Sequence, residues 1–112
     1  MGEDQVDMVL QALAHRARRR ILDIVRESPG CSVSEVVNRF DTSRIAVMKH
    51  LRVLEEAGLL ISEKHGRRRY LYQNLAPIQL IYDRWTDDYA AFWNAHLADL
   101  KYRLENREKN NE

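Results

Sequence analysis

The chain has 112 residues, enough for one modest core, and with 45% apolar and 31% charged residues it is globular rather than disordered. Its apolar runs are too short to span a membrane, its acidic start M-G-E-D-Q-V-D is unlike a signal peptide, and its one cysteine excludes an internal disulfide or a multi-cysteine zinc finger, so it reads as cytoplasmic. The net charge of +1 hides an asymmetry: −3 over residues 1–14 (three acids, no base), +6 over 15–70 (thirteen bases against seven acids) and −2 over 71–112 (five bases against seven acids). A basic centre between acidic ends suits phosphate contacts confined to one region and argues against a general polyanion binder.

Glu3 to Ala14 is predicted as a first helix, with Val6, Val9, Leu10 and Leu13 along one side. A second runs from His15 to Glu27, with Ile21, Leu22, Ile24 and Val25 as its core face. Arg16, Arg18, Arg19 and Arg20 form its polar face, which reads either as a DNA-backbone contact or as a solvated surface. Ser28-Pro29-Gly30 ends it, because proline and glycine both punctuate helices. Cys31 follows, a small buried hydrophobe on one reading and a sensor thiol on the other. Val33, Val36, Val37 and Phe40 give a short third helix its inner face, before a tight break at Asp41–Thr42.

The stretch D-T-S-R-I-A-V-M-K-H-L-R-V-L-E-E-A-G-L-L-I, Asp41 to Ile61, is the most structured signal in the chain. Ser43 is a good N-cap, since its hydroxyl can accept from a free backbone N–H of the first turn. Val47, Leu51 and Leu54 recur at helical spacing, and Gly58 follows where a left-handed C-cap is needed. The opposite face carries Arg44, Lys49 and Arg52. Arg44, Ile45, Ala46 and Met48 lie near the N-terminal end, while Glu55 and Glu56 lie at the far end. Such a helix can enter a DNA major groove. With the short helix before it, about residues 33–58 read as a helix-turn-helix.

Two strands flanking H-G-R-R make a basic ribbon, a wing of about residues 59–75. Three consecutive arginines repel one another, so stability alone would not select them. Arg67 and Arg68 suit phosphates or the minor groove, whereas Arg69 begins the return strand and can point elsewhere. Tyr70 and Tyr72 share one strand face and Leu71 takes the other. Pro77 is expected to open a last helix running to about Leu104–Glu105, followed by a frayed, mobile tail. Ile78, Ile81, Trp85, Tyr89, Phe92, Trp93, His96, Leu97, Leu100 and Leu104 form a stripe on it too long for one small core. A second copy related by two-fold symmetry would cover it; folding back on its own domain is the alternative. The fold class is therefore mainly α with a small β-hairpin, a single winged helix-turn-helix domain over 1–112 with terminal dimerisation helices at about 3–14 and 77–105.

S-R-I-A-V-M-K-H-L-R-V-L-E-E-A-G-L-L followed by G-R-R-R-Y-L-Y resembles the ArsR family of bacterial winged-helix repressors, and L-Q-A-L-A-H-R-A-R-R-R-I-L-D-I-V resembles the helices that precede them. The resemblance spans about Met8 to Leu104. It implies a homodimeric repressor that binds an inverted-repeat operator in double-stranded DNA and releases it on a signal. The residues expected at DNA are Ser43, Arg44, Ala46, Lys49, His50, Arg52, Arg67 and Arg68. Those expected at the dimer interface are Leu10, Ile81, Trp85, Tyr89, Phe92 and His96.

Arsenic-sensing relatives carry a Cys-x-Cys pair that aligns with Ser32 and Ser34, and serine is a poor ligand for soft metals. Zinc-sensing relatives carry Asp-x-His, ten residues, then His-x-x-Glu or His. Here the spacing is Asp83-x-Trp85, then His96-x-x-Asp99, so Trp85 stands where a ligand is needed. Asp83 of one chain with His96 and Asp99 of the other, brought together by paired antiparallel helices, remain the metal candidates, and no cofactor is expected. Catalysis has little support: no glycine-rich phosphate loop is present, and adjacent Asp87 and Asp88 point different ways on a helix. The rival readings are a divergent zinc-type repressor and a winged-helix module that binds proteins.

Overall fold

The computed structural model describes residues 1–110, apart from the side chains at 88 and 108–110. The order is α1 (Glu3–Leu13), α2 (Arg16–Glu27), β1 (Cys31–Ser32), α3 (Val33–Val37), α4 (Arg44–Glu56), β2 (Leu60–His65), β3 (Arg68–Gln73) and α5 (Ala76–Asn110). Two compact units result, one of residues 1–80 and one of the remainder of α5 from Ile81 onward. The orientation expected for Asp88 lies outside the described side chains, and Asn111 and Glu112 of the expected tail lie outside the described residues.

In the first unit, helices α1 to α4 and the sheet enclose one core. Val9 and Ala12 of α1, Ile21 and Val25 of α2, Val36 of α3, and Val47, Leu51 and Leu54 of α4 are fully or almost fully buried, with Leu59 and Leu71. Ala12 rather than Leu10 or Leu13 lies deepest at the end of α1, because close helix packing there leaves room only for a small side chain. Leu10 is left exposed.

The wing differs from the expected two-stranded ribbon. Cys31–Ser32 adds a third antiparallel strand, giving the order β1-β3-β2, with Cys31 opposite Leu71 and Ser32 opposite Tyr70. Two residues are too few to leave a period in the sequence; pairing with β3 creates the strand. Gly66 has φ +65° and, among the described residues, no non-glycine residue, Arg67 included, has positive φ, the combination a type II′ turn requires between paired His65 and Arg68. β1 also places Cys31 in the core, where burial, and then the charge of Glu35, push its thiol pKa up. A thiol kept protonated is unreactive, which favours the structural reading of Cys31.

Pro77 is the second residue of α5, not the first: Ala76 opens the helix, and its N–H donates to Asn74 Oδ1 at 3.2 Å. The helix also continues beyond the expected end near Leu104 to Asn110. Glu, Arg and Lys in E-N-R-E-K are good helix formers, and the Asp99–Arg103 pair at 2.7 Å supports the turn before them. Among the described residues, no helix is long and apolar enough to cross a membrane.

Candidate nucleic-acid interface

Helix α4 is held at both ends by its own sequence. Ser43 Oγ accepts from Ala46 N at 3.2 Å, so the N-cap is formed. At the other end Leu59 N donates to Leu54 O and Gly58 N to Glu55 O, a Schellman closure with Gly58 at φ +78°. Two more bonds tie this end to the scaffold: Gln5 Nε2 of α1 to Ala57 O at 3.2 Å, and Asn74 Nδ2 to Gly58 O at 2.9 Å. α3 in front is closed by a capping box between Ser32 and Glu35. Arg20 then bridges to the turn that follows, donating to Arg39 O at 2.9 Å and lying over the Phe40 ring at 4.9 Å.

The arginines of α2 have an assignment that sequence reasoning missed. Arg18 donates to Ala12 O and Gln11 O, both at 2.8 Å, and Arg19 to Leu13 O at 2.7 Å. These are carbonyls of the last turn of α1, which has no basic residue of its own there; Gln11 O also accepts from Ala14 N at 3.2 Å. Three of the four cations are thus engaged by the scaffold, Arg18 and Arg19 as helix caps and Arg20 as a bridge. Arg18 and Arg19 stand five and six residues beyond Leu13, outside the last turn where a basic residue marks a helix C-terminus, so no local pattern announced the contact.

The outward side of α4 is different. Arg44, Lys49 and Arg52 are exposed, as are Arg67 and Arg68 at the wing tip. Among the described residues, none of these five side chains is held by an ion pair or hydrogen bond. Arg69, next in sequence, turns inward on the opposite strand face, where its guanidinium pairs with Glu55 and donates to Ser62 Oγ at 3.0 Å. Arg44, Ile45, Met48, Lys49 and Arg52 line a groove of about 450 Å³ that Arg69 closes from the wing side. Ile45 is 70% exposed, the largest value for any big apolar side chain among the described residues.

Ala46 is half-buried on the other flank. His50, also expected at DNA, lies on that flank too. Its ring centroid is 4.5 Å from that of His15, and its Nδ1 is 3.4 Å from Arg18. Burial first, then the charges of His15 and Arg18, lower its pKa, so His50 is neutral at neutral pH.

In the second unit, Trp85, Tyr89, Phe92, Leu97, Leu100 and Leu104 are exposed, Phe92 at 64%. Ile81 is 8% exposed within a single chain and so offers little surface to a partner. The aromatic rings order one another along the helix: Tyr89 meets Trp93 edge-on at 5.8 Å, and His96 stacks on Phe92 at 6.0 Å and 4°. Of the metal candidates, Asp99 is paired with Arg103, and thirteen residues of helix hold Asp83 roughly 20 Å from His96. Within one chain, and among the described residues, no three His, Cys, Asp or Glu side chains come together to hold a metal ion.

An α3–turn–α4 unit with a capped, cation-bearing second helix and a basic wing defines a winged helix-turn-helix. Residues 13–63 match the family model of a helix-turn-helix domain. The HTH-type transcriptional regulator YuzN of Bacillus subtilis is 34% identical over 72% of this chain and 95% of its own length. The crystal structure of an ArsR family transcriptional regulator superimposes with a TM-score of 0.72 at 28% identity, over 84% of this chain and 95% of that one. An ArsR-like transcriptional regulator from Rhodococcus sp. RHA1 gives 0.67 at 30% identity, over 88% and 91%. The chain belongs to the ArsR family of helix-turn-helix transcriptional regulators. It is a transcriptional regulator with an ArsR-type DNA-binding domain.

Proposed function

We propose that the protein is a homodimeric repressor that places two copies of α4 in successive major grooves of an inverted-repeat operator. The observation that carries this reading is the contrast between engaged and unengaged cations. Arg18, Arg19, Arg20 and Arg69 are tied into the scaffold, whereas Arg44, Lys49, Arg52, Arg67 and Arg68 have no partner among the described residues along one helix face and one hairpin tip. Ser43, Arg44 and Ala46 lie nearest the bases. Lys49 and Arg52 meet bases or phosphates, with His50 beside them on the inner flank, and Arg67 and Arg68 take phosphates or the minor groove. The exposed stripe of Trp85, Tyr89, Phe92 and His96, with Leu10 of α1, pairs with its symmetry mate. Release follows any event that changes the spacing of the two winged domains.

The test is a mobility-shift titration of the protein against its own upstream DNA at several salt concentrations. Log affinity should fall with log salt at about 0.9 per phosphate neutralised, several phosphates per protomer. Affinity independent of salt, or no binding to duplex DNA, would overturn the reading in favour of a protein-binding module.

Zinc is not the signal on this reading. The residues do not fit a tetrahedral site: Trp85 cannot coordinate, which leaves one imidazole and two carboxylates where four firm ligands are needed. Operator affinity should be the same with saturating zinc and with chelator. A tenfold drop on adding zinc, abolished by His96→Ala, would make the protein a metal sensor.

A further inference from the structure

We propose that Ile45 reads the C5-methyl group of a thymine, fixing one A·T pair in each half-site. The inference rests on the DNA-binding reading and deepens it. Ile45 is the second residue of α4 and is 70% exposed. Folding gives no reason for it: a β-branched residue in an exposed helix turn restricts its own rotamers and buries nothing. Its surroundings supply a reason. It lines the same groove as Arg44, Lys49 and Arg52, whose side chains have no partner among the described residues. Those cations can draw the groove onto a phosphate backbone, and they bring the first turn of α4 against base edges, where recognition helices make their contacts. An isoleucine there cannot bond a phosphate, nor a base donor or acceptor. The apolar group that major-groove edges present is the thymine methyl. Met48, one turn further on and lining the same groove, continues the apolar strip and helps exclude water from that contact.

The experiment selects binders from a random-sequence duplex library with the full chain, wild type and Ile45→Ala. Because Ile45 is exposed, the variant should melt at the wild-type temperature, which a thermal scan checks. The wild type should enrich a consensus holding an A·T pair at a fixed position in each half-site. The alanine variant should lose the preference at that position and keep the others. Replacing that thymine by uracil, which removes only the methyl, should weaken wild-type binding about fourfold and leave the variant unaffected. The inference is overturned, with DNA binding intact, if Ile45→Ala selects the wild-type consensus or if uracil binds as well as thymine at every position. Failure of the wild type to enrich any sequence overturns the inference together with the DNA-binding reading.

Discussion

Arg44 and Lys49 are both exposed and without partners among the described residues, yet they should behave differently because of where they sit on α4. Arg44 opens the helix, and the proposed docking puts it at base edges; on that proposal its replacement by alanine should cost roughly 1–3 kcal/mol and relax specificity. Lys49 lies one turn further on; Lys49→Ala should weaken all duplexes alike and reduce the salt slope by about one. Equal salt slopes for the two variants would refute the assignment. His50 makes a different prediction. Its pKa is depressed in the folded chain by burial and then by the charges of His15 and Arg18, so on acidification the unfolded chain takes up the proton first. Stability should therefore hold above the unfolded value of about 6.5 and fall as pH drops towards the lower folded value. His50→Gln should flatten that part of the curve, and melting temperatures between pH 7.5 and 5 measure it.

Between elements, Arg69 of the wing is tied to Glu55 of α4. Its side chain is 34% exposed and that of Glu55 28%, so water screens the pair only in part, and Ser62 shares the guanidinium. A double-mutant cycle on Arg69→Ala and Glu55→Ala should give a coupling of about 1 kcal/mol in folding stability. Arg67→Ala, at the turn, should leave the melting temperature unchanged and lower DNA affinity. If Arg69→Ala melts like the wild type, the wing is held by its core contacts alone. The C-terminal end of α4 is a second junction. Gln5 and Asn74 both donate to its last carbonyls, and Asn74 also caps α5.

For the whole molecule, the question is what covers the aromatic stripe of the second unit. Trp85 is 54% exposed, with Tyr89 and Phe92 more so, on a helix whose rings already order one another. Buried aromatics dominate interface energetics, so the double change Trp85→Asp and Phe92→Asp should convert a dimer into monomers with weak operator binding. Sedimentation of the wild type at micromolar concentration should give a dimer without DNA; a monomer would remove the basis for inverted-repeat recognition.

Whatever depends on neighbours a few residues apart could be read along the chain. The Ser43 cap, the Val47-Leu51-Leu54 face, the Gly58 stop and the hairpin turn at Gly66 are local bonding and steric requirements, and all were legible. So was the family, because its motifs lie in these same stretches. Tertiary structure alone decided the rest. Cys31–Ser32 is a strand only because β3 lies beside it, and Ala12 is deep in the core only because of how α1 packs. The division of the arginines followed no local rule. Arg18 and Arg19 cap a preceding helix, Arg20 spans to Arg39, and Arg69 crosses to Glu55, while chemically identical neighbours stay in solvent. A guanidinium takes whatever acceptor the fold brings within reach, and its acceptors are set by long-range packing that one-dimensional spacing does not encode.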